Sequence, residues 1–488
     1  MKLDRKDLAL GLLLAVLAFV LYRATFKARQ FGDSALLMSI FSAHRDGSGF
    51  WYHTLYMPVA GVLGRLLWWA SAPEVLRVLS AGCGALGVAF AFLLARAWRA
   101  SRSASLLAAG LLAVSPGYWF FSTSIEVHTL HAACVGLCAV VAVYAPWQRP
   151  LLASLLVAVT LPLLYLSHQS GMLLGPGFVV LSQHARVSCG LARFRIRTLL
   201  FGIGPLYLAA LIAAIPLSAW MSNRSLAVHL SASRTSVVDF PYEIGLSSAW
   251  EGWIQPLGLL LPLAGAGVVA CSRNVWALAA PLTFVLPSAA FFLTWGLPER
   301  GGYTLGSSMF LAVLASAALS GAARWRVVLG MSLLVLQAAW GYTALRAYDG
   351  PEWRETLYDR RDAIRHAIGE RGGVISLNTT FQYIEAELPG VIELNLLLEL
   401  TRAMSNGQPP EAFLAESEPR LMQILGREDL PVLFDRSYAD LVRRTAPQAL
   451  PYSEALERWL EARYQLEPVE GVELPLYRLT GRAADPPR

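Results

Sequence analysis

The sequence predicts an α-helical polytopic membrane protein of about 11 transmembrane helices, followed by a C-terminal soluble α/β domain. Of its 488 residues, 55% are hydrophobic and only 15% charged, and the mean hydropathy of +0.48 is too apolar for a water-soluble domain. Apolar runs of roughly the 20 residues a bilayer crossing requires recur from the N-terminus to about residue 345. Beyond Arg346 the composition turns charged and ordinary.

The opening stretch, "MKLDRKDLALGLLLAVLAFVLY", has the basic start and apolar run of a signal peptide but no small-residue cleavage pattern after Val20. It is therefore read as a retained first helix. Spans fall near 7–23, 78–97, 103–121, 128–145, 151–167, 170–184, 198–219, 254–271, 275–295, 304–322 and 327–345. With the N-terminus in the cytoplasm, the inner segments hold Lys2, Arg5 and Lys6, then Arg96, Arg99 and Arg102, then Arg149, Arg186, Arg193, Arg195, Arg197, Arg273, Arg324 and Arg326. The short outer turns at 122–127 and 168–170 hold no Lys or Arg, as expected when the basic residues are concentrated in cytoplasmic loops, and the longer outer stretches 24–77 and 220–253, which do carry some, weigh less under that rule. The net charge of +6 thus marks orientation rather than nucleic-acid binding. Residues 1–348 form the membrane domain, with a first outer loop at 24–77, and 349–488 lie outside the membrane on the outer face.

In that second region Trp353, Leu357, Ile364 and Ile368 line one face of a helix stopped by Gly372 and Gly373. The runs "VISLN", "PVLFD" and "ELPLYRL" read as strands, and the helical stretches between them complete an α/β domain. Cys83, Cys134, Cys138, Cys189 and Cys271 show no paired spacing for zinc or disulfides and are read as packing residues.

Sorting the polar residues by side puts Asp33, His53, Glu126, His128, His168, Glu299, Arg300 and Tyr303 at outer helix ends or in outer loops. One such residue is ordinary. Several acids, histidines and an arginine from five segments on one face predict a site, because ionisable groups near membrane depth are costly unless paired or functional.

Four ordered stretches then carry a resemblance: "FGDSALL", "HTLYMPVAGVLGRLL", "SPGYWFFSTSIEVHTLHA" and "LSHQSGMLLGPGFVV". In this order and on this side they resemble the membrane glycosyltransferases of the GT-C superfamily, closest to the protein O-mannosyltransferase-like branch, over residues 1–185. The resemblance implies an inverting transfer of a sugar, a mannose-like hexose favoured, from a polyprenyl-phosphate donor to an acceptor hydroxyl on a protein or cell-surface glycan. It also implies an integral membrane protein working on the outer face, and the low Lys count against abundant Arg, Ala and Leu points to a bacterial host and hence its inner membrane. Inversion by single displacement requires a carboxylate to deprotonate the nucleophile opposite the leaving phosphate. Asp33 is the candidate base, and it also suits the N-cap of the helix that "SALLMSIFS" begins. Glu126 is the second catalytic candidate, orienting acceptor or sugar, and as a first-turn acid it also suits the helix dipole.

The leaving phosphate calls for cations and fixed donors. His53, His168, Arg300, Tyr303 and Glu299 are the candidates for donor-lipid phosphate and sugar binding, with Glu299 alternatively the ion-pair partner of Arg300. Gly301 and Gly302 permit close backbone approach there. His128, read as facing away from Glu126 on a helix, is left out. Neither a metal nor another cofactor is expected, since hard divalent cations want several carboxylates and the outer side offers few. A polyprenyl-linked glycan ligase and a lipid-linked sugar flippase are the rivals. Ligases put their critical bases in a late loop, and flippases put polar groups at mid-membrane, whereas here an early acid stands out and the spans are Leu, Ala and Val-rich.

Overall fold

Asp4 accepts a hydrogen bond from the Lys6 amide at 2.9 Å and so starts the first apolar helix, α1 (Arg5–Ala24). In the computed structural model, the described residues are 3–26, 34–43, 53–191, 203–222, 225–227, 229–230, 249–294, 299–321, 323–347, 351–377, 384, 388, 390–427, 429–437, 447–472 and 474–482. They divide into two compact units, Met1–Tyr348 and Asp349–Arg488.

In the first unit α1 is followed by α2 (Ser34–Ala43), α3 (Tyr56–Leu66), α4 (Ala72–Ala97), α5 (Arg102–Ala113), α6 (Pro116–Thr123), α7 (His128–Tyr144), α8 (Pro150–Thr160), α9 (Pro162–Ser167) and α10 (Gly175–Ser188). Then come α11 (Gly204–Met221), α12 (Leu260–Cys271), α13 (Val275–Thr294), α14 (Leu305–Leu319) and α15 (Arg324–Ala347). By length and composition, six helices among the described residues can cross a membrane, or up to eight if each bent pair counts as one span. The helices His128–Tyr144 and Ala277–Phe291 are apolar but shorter.

Two predicted spans are bent, each for a local reason. The α5–α6 pair turns by 62° at Ser115-Pro116, where proline supplies no amide to continue the ladder. The pair Trp250–Leu257 and Leu260–Cys271 turns by 82° at Gly258, whose φ of 55° suits glycine. There the fully buried Gln337 of α15 replaces the missing backbone bonds, accepting from the Leu259 amide and donating to the Leu257 carbonyl, both at 2.8 Å. Bilayer-embedded backbone breaks only where such partners exist.

Helix α4 is the scaffold, with α1 and α7 packed along it. Gly84 and Gly87 lie one turn apart on one face, and a side chain at either would run into Ser122 or the Tyr118 hydroxyl of α6. Small residues thus let α6 approach closely, as is common between membrane helices, and Tyr118 donates to the Gly84 carbonyl at 3.0 Å. At one end of the unit Asp7 pairs with Arg96 at 3.0 Å and Arg102 at 2.7 Å, clamping α1 to the α4–α5 turn.

The second unit holds a five-stranded sheet in the order β2-β1-β3-β5-β4, from β1 (Gly372–Ser376), β2 (Val391–Asn395), β3 (Val432–Asp435), β4 (Tyr464–Pro468) and β5 (Leu476–Arg482). Strands β1, β2 and β3 are parallel, while β5 and β4 are antiparallel additions. Alternation buries Val374 and Leu433 with Ala363 and Ile364 on one face, and Ile375 and Phe434 with Phe413 and Leu456 on the other. Arg360 is buried beneath the sheet, bonded to Asp435 and Glu393 at 2.6 Å each. Strands β2 and β4 were not among the runs the sequence marked; β4 is an edge strand, mostly exposed, with Tyr464 and Leu466 half-buried between exposed Gln465 and Glu467.

Candidate active site

The chain from His53 to Tyr56 is tied down before α3 begins. The Leu55 amide donates to the Leu166 carbonyl at 2.9 Å, the Tyr56 amide returns to His53 at 2.8 Å, and Thr54 shares a 2.5 Å bond with Ser218 of α11. These bonds bring His53 against the end of α9, where its ring stacks on His168 with centroids 4.9 Å apart and planes 21° from parallel.

His168 is the hub. Its ring lies 5.7 Å from that of His128, 5.4 Å from His131 and 5.5 Å from Tyr303, centroid to centroid. Helix α7 begins at His128, so His128 and His131 stand three residues apart on one face. His131 Nδ1 lies 2.9 Å from Ser167 Oγ, and His128 meets Tyr303 edge-on at 5.0 Å. The segment Glu299–Thr304 closes the far side as a short 3-10 turn. Gly301, at φ 81°, and Gly302 permit this approach: a Cβ on Gly302 would lie 2.7 Å from the His128 ring and 2.8 Å from Phe121. His128 and His131 are buried, while His53, His168 and Tyr303 are partly exposed, so the cluster opens on their side. Burial, with His128 and His131 beside it, pushes the His53 imidazole down to about 3.

Of the sequence-predicted residues, the structure brings His53, His168 and Tyr303 into this one cluster. Glu126 is buried at the α6–α7 join; its amide lies 3.4 Å from Ser80 Oγ, and its charge reaches the buried Tyr56 phenol. Ser34, the first residue of α2, donates to the Ile125 carbonyl at 2.6 Å, so the start of α2 is docked one residue from Glu126. Asp33 lies outside the described residues, as do the side chains of Glu299 and Arg300, whose backbone opens the turn that leads to Tyr303.

The exclusion of His128 is corrected. His128 was read as facing away from Glu126 on a helix, but Glu126 precedes α7, and the His128 ring lies beside His168 and Tyr303. His131 was passed over as well, although the "HTLH" spacing of three residues was the available signal. Among the described residues no three His, Cys, Asp or Glu side chains converge as metal ligands. Rings and a phenol of this kind supply N–H and O–H donors to an oxyanion.

No family model and no curated protein matches the chain. Among solved structures, ArnT from Cupriavidus metallidurans bound to undecaprenyl phosphate matches with a TM-score of 0.56 at 13% identity, covering 96% of this chain and 97% of that one. Its apo form matches with a TM-score of 0.55 at 12% identity over the same shares. The chain has the GT-C fold. The archaeal oligosaccharyltransferase AglB from Archaeoglobus fulgidus, in complex with an inhibitory peptide and a dolichol-phosphate, is also similar, with a TM-score of 0.49 at 15% identity over 93% of this chain and 72% of that one. In this chain the histidine cluster, Glu126 and the start of α2 all lie at or beside helix ends.

Proposed function

We propose that this protein is an inverting membrane glycosyltransferase that moves a sugar, a mannose-like hexose favoured, from a polyprenyl-phosphate carrier to a hydroxyl of a protein or cell-surface glycan. The observation that carries the reading is the meeting of His53, His168 and Tyr303 with His128 and His131 in one partly open cluster within a GT-C fold. Five rings bearing N–H and O–H groups suit the oxygens of a lipid-linked phosphate, and the likeness to ArnT, solved with undecaprenyl phosphate, supports that donor class. In this reading Arg300 adds a cation to the phosphate, with Glu299 beside it. Asp33 is the general base, Glu126 orients the acceptor or the sugar, and no metal takes part. In the same reading the chain spans a bacterial inner membrane eleven times with its N-terminus in the cytoplasm, and the site and residues 349–488 lie outside.

The test is a panel of polyprenyl-phosphate sugars offered to purified protein, scoring donor consumption and transfer in wild type and Asp33→Asn. General-base assistance is worth about 10² to 10⁴ in rate, so Asp33→Asn should lose at least 100-fold. Full transfer by the variant removes Asp33 from the role, and donor lipid that crosses a bilayer unconsumed favours a flippase instead.

A further inference from the structure

The two ends of the His168 ring are in different circumstances. Its Nδ1 receives the Ser170 backbone amide at 3.2 Å and lies 2.7 Å from the Ser170 hydroxyl, so that His168 caps the 3-10 turn Gln169–Leu174. A backbone amide can only donate, and a nitrogen that accepts from it carries no proton. The proton of the neutral ring is therefore on Nε2. No protein group among the described residues hydrogen-bonds Nε2, and the ring is partly exposed at the opening it shares with His53 and Tyr303. Gly171 helps hold the turn in this shape. Its amide returns to the His168 carbonyl at 2.9 Å, and a Cβ there would strike the Leu164 carbonyl.

We propose that Ser170 is a positioning residue that locks His168 as a neutral Nε2–H hydrogen-bond donor, aimed at a phosphate oxygen of the lipid-linked ligand. The inference rests on the donor-phosphate reading above and deepens it, because it makes His168 a fixed dipole rather than a titrating cation. During transfer the bond between the anomeric carbon and the phosphate oxygen breaks and its electron pair stays on the phosphate. The acceptor oxygen bonds to the anomeric carbon, and its proton goes to the carboxylate base. His168 keeps its proton throughout and strengthens its hydrogen bond as negative charge grows on the phosphate.

Two measurements on the full chain in lipid nanodiscs test this. With ¹⁵N-histidine labelling, and His168→Gln to assign the signal, Nδ1 of His168 should remain unprotonated and Nε2 protonated from about pH 8 to pH 5.5. In the second, binding of undecaprenyl phosphate is compared in two variants of similar polarity. The amide nitrogen of His168→Gln reaches the former Nε2 position, whereas that of His168→Asn reaches only Nδ1. The Gln variant should bind within about threefold of wild type, and the Asn variant should lose about tenfold, the worth of one hydrogen bond, with matched thermal melting showing that both fold. A proton on Nδ1 overturns the inference, as do equal losses in the two variants. The expected tautomer with no wild-type binding of the lipid phosphate overturns its ligand and counts against glycosyl transfer itself. A wrong tautomer with intact binding overturns the inference alone.

Discussion

Two buried polar clusters, one in each unit, differ in how completely they are closed. In the second unit the Arg360 side chain is 2% exposed and its partners Asp435 and Glu393 are 0% and 9% exposed, with Ser376 and Ser437 donating to the same carboxylates. Burial alone would raise the Asp435 carboxyl, but Arg360 and Ser437 outweigh it and hold the group below its ordinary value. In the membrane unit His53, His168 and Tyr303 stay partly exposed, and their rings pack against one another and against His128 and His131. A cluster whose charges are answered within the fold supports structure, whereas one with donors turned to an opening supports binding.

The sharpest way to break this contrast is to remove the central cation of the closed cluster. Arg360→Met leaves Asp435 buried without its partner and should destabilise the second unit by about 3–5 kcal/mol, read by denaturant unfolding of the full chain. Adding Asp435→Asn should restore much of the loss. If the single variant melts like wild type, the network is not structural.

Within the membrane unit, Gln337→Leu should cost about 2 kcal/mol, because the Leu259 amide and Leu257 carbonyl at the Gly258 break lose their partner. Thermal unfolding in detergent reads the effect, and an unchanged midpoint would mean that water replaces the side chain. His128→Gln should leave melting within about 0.5 kcal/mol of wild type yet lower transfer by about tenfold, the reverse of Arg360→Met. A large loss of stability there would return the histidines to a packing role.

Acid should separate the clusters in order. The depressed His53 imidazole favours the folded state fully above its unfolded value near 6.5, and that contribution falls away as pH drops toward about 3. Asp435, also depressed, contributes fully above the ordinary carboxyl value near 4 and loses its share only below it. Circular dichroism of the sheet and ring-sensitive near-ultraviolet signals, followed from pH 7 to pH 3, should therefore show the histidine region weakening first. Simultaneous loss would contradict the separate assignments.

Much of the helical plan could be read from hydropathy. Most predicted spans fall on helices because a run of about 20 apolar residues leaves the backbone no better way to satisfy itself in lipid, but two are sharply bent and the one at 170–184 begins in a 3-10 turn. Three of the five strands were marked by their β-branched and aromatic runs, while β4 is a five-residue edge strand whose short Tyr-Gln-Leu-Glu alternation contains no β-branched residue. At the site, position within a motif drew attention to His53, His168 and Tyr303. The same reasoning set His128 aside as facing away from Glu126, whereas its ring meets those of His168 and Tyr303. The direction of the His168 proton had no signature at all, since it depends on a backbone amide two residues away and on the turn that Gly171 permits.

What the sequence determined by itself is therefore the set of apolar helices, the change of character after Arg346 and the residue types at the helix ends, because these follow from local composition and period. What only the tertiary structure decided is which of those residues meet. His53, His128, His168 and Tyr303 are separated by as much as half the chain, and periodicity reports the face a residue occupies but not the partner it finds there. Their contact comes from the Leu55–Leu166 hydrogen bond, the start of α7 at His128 and the glycine turn at 301–302, and each of these exists only once the helices have packed.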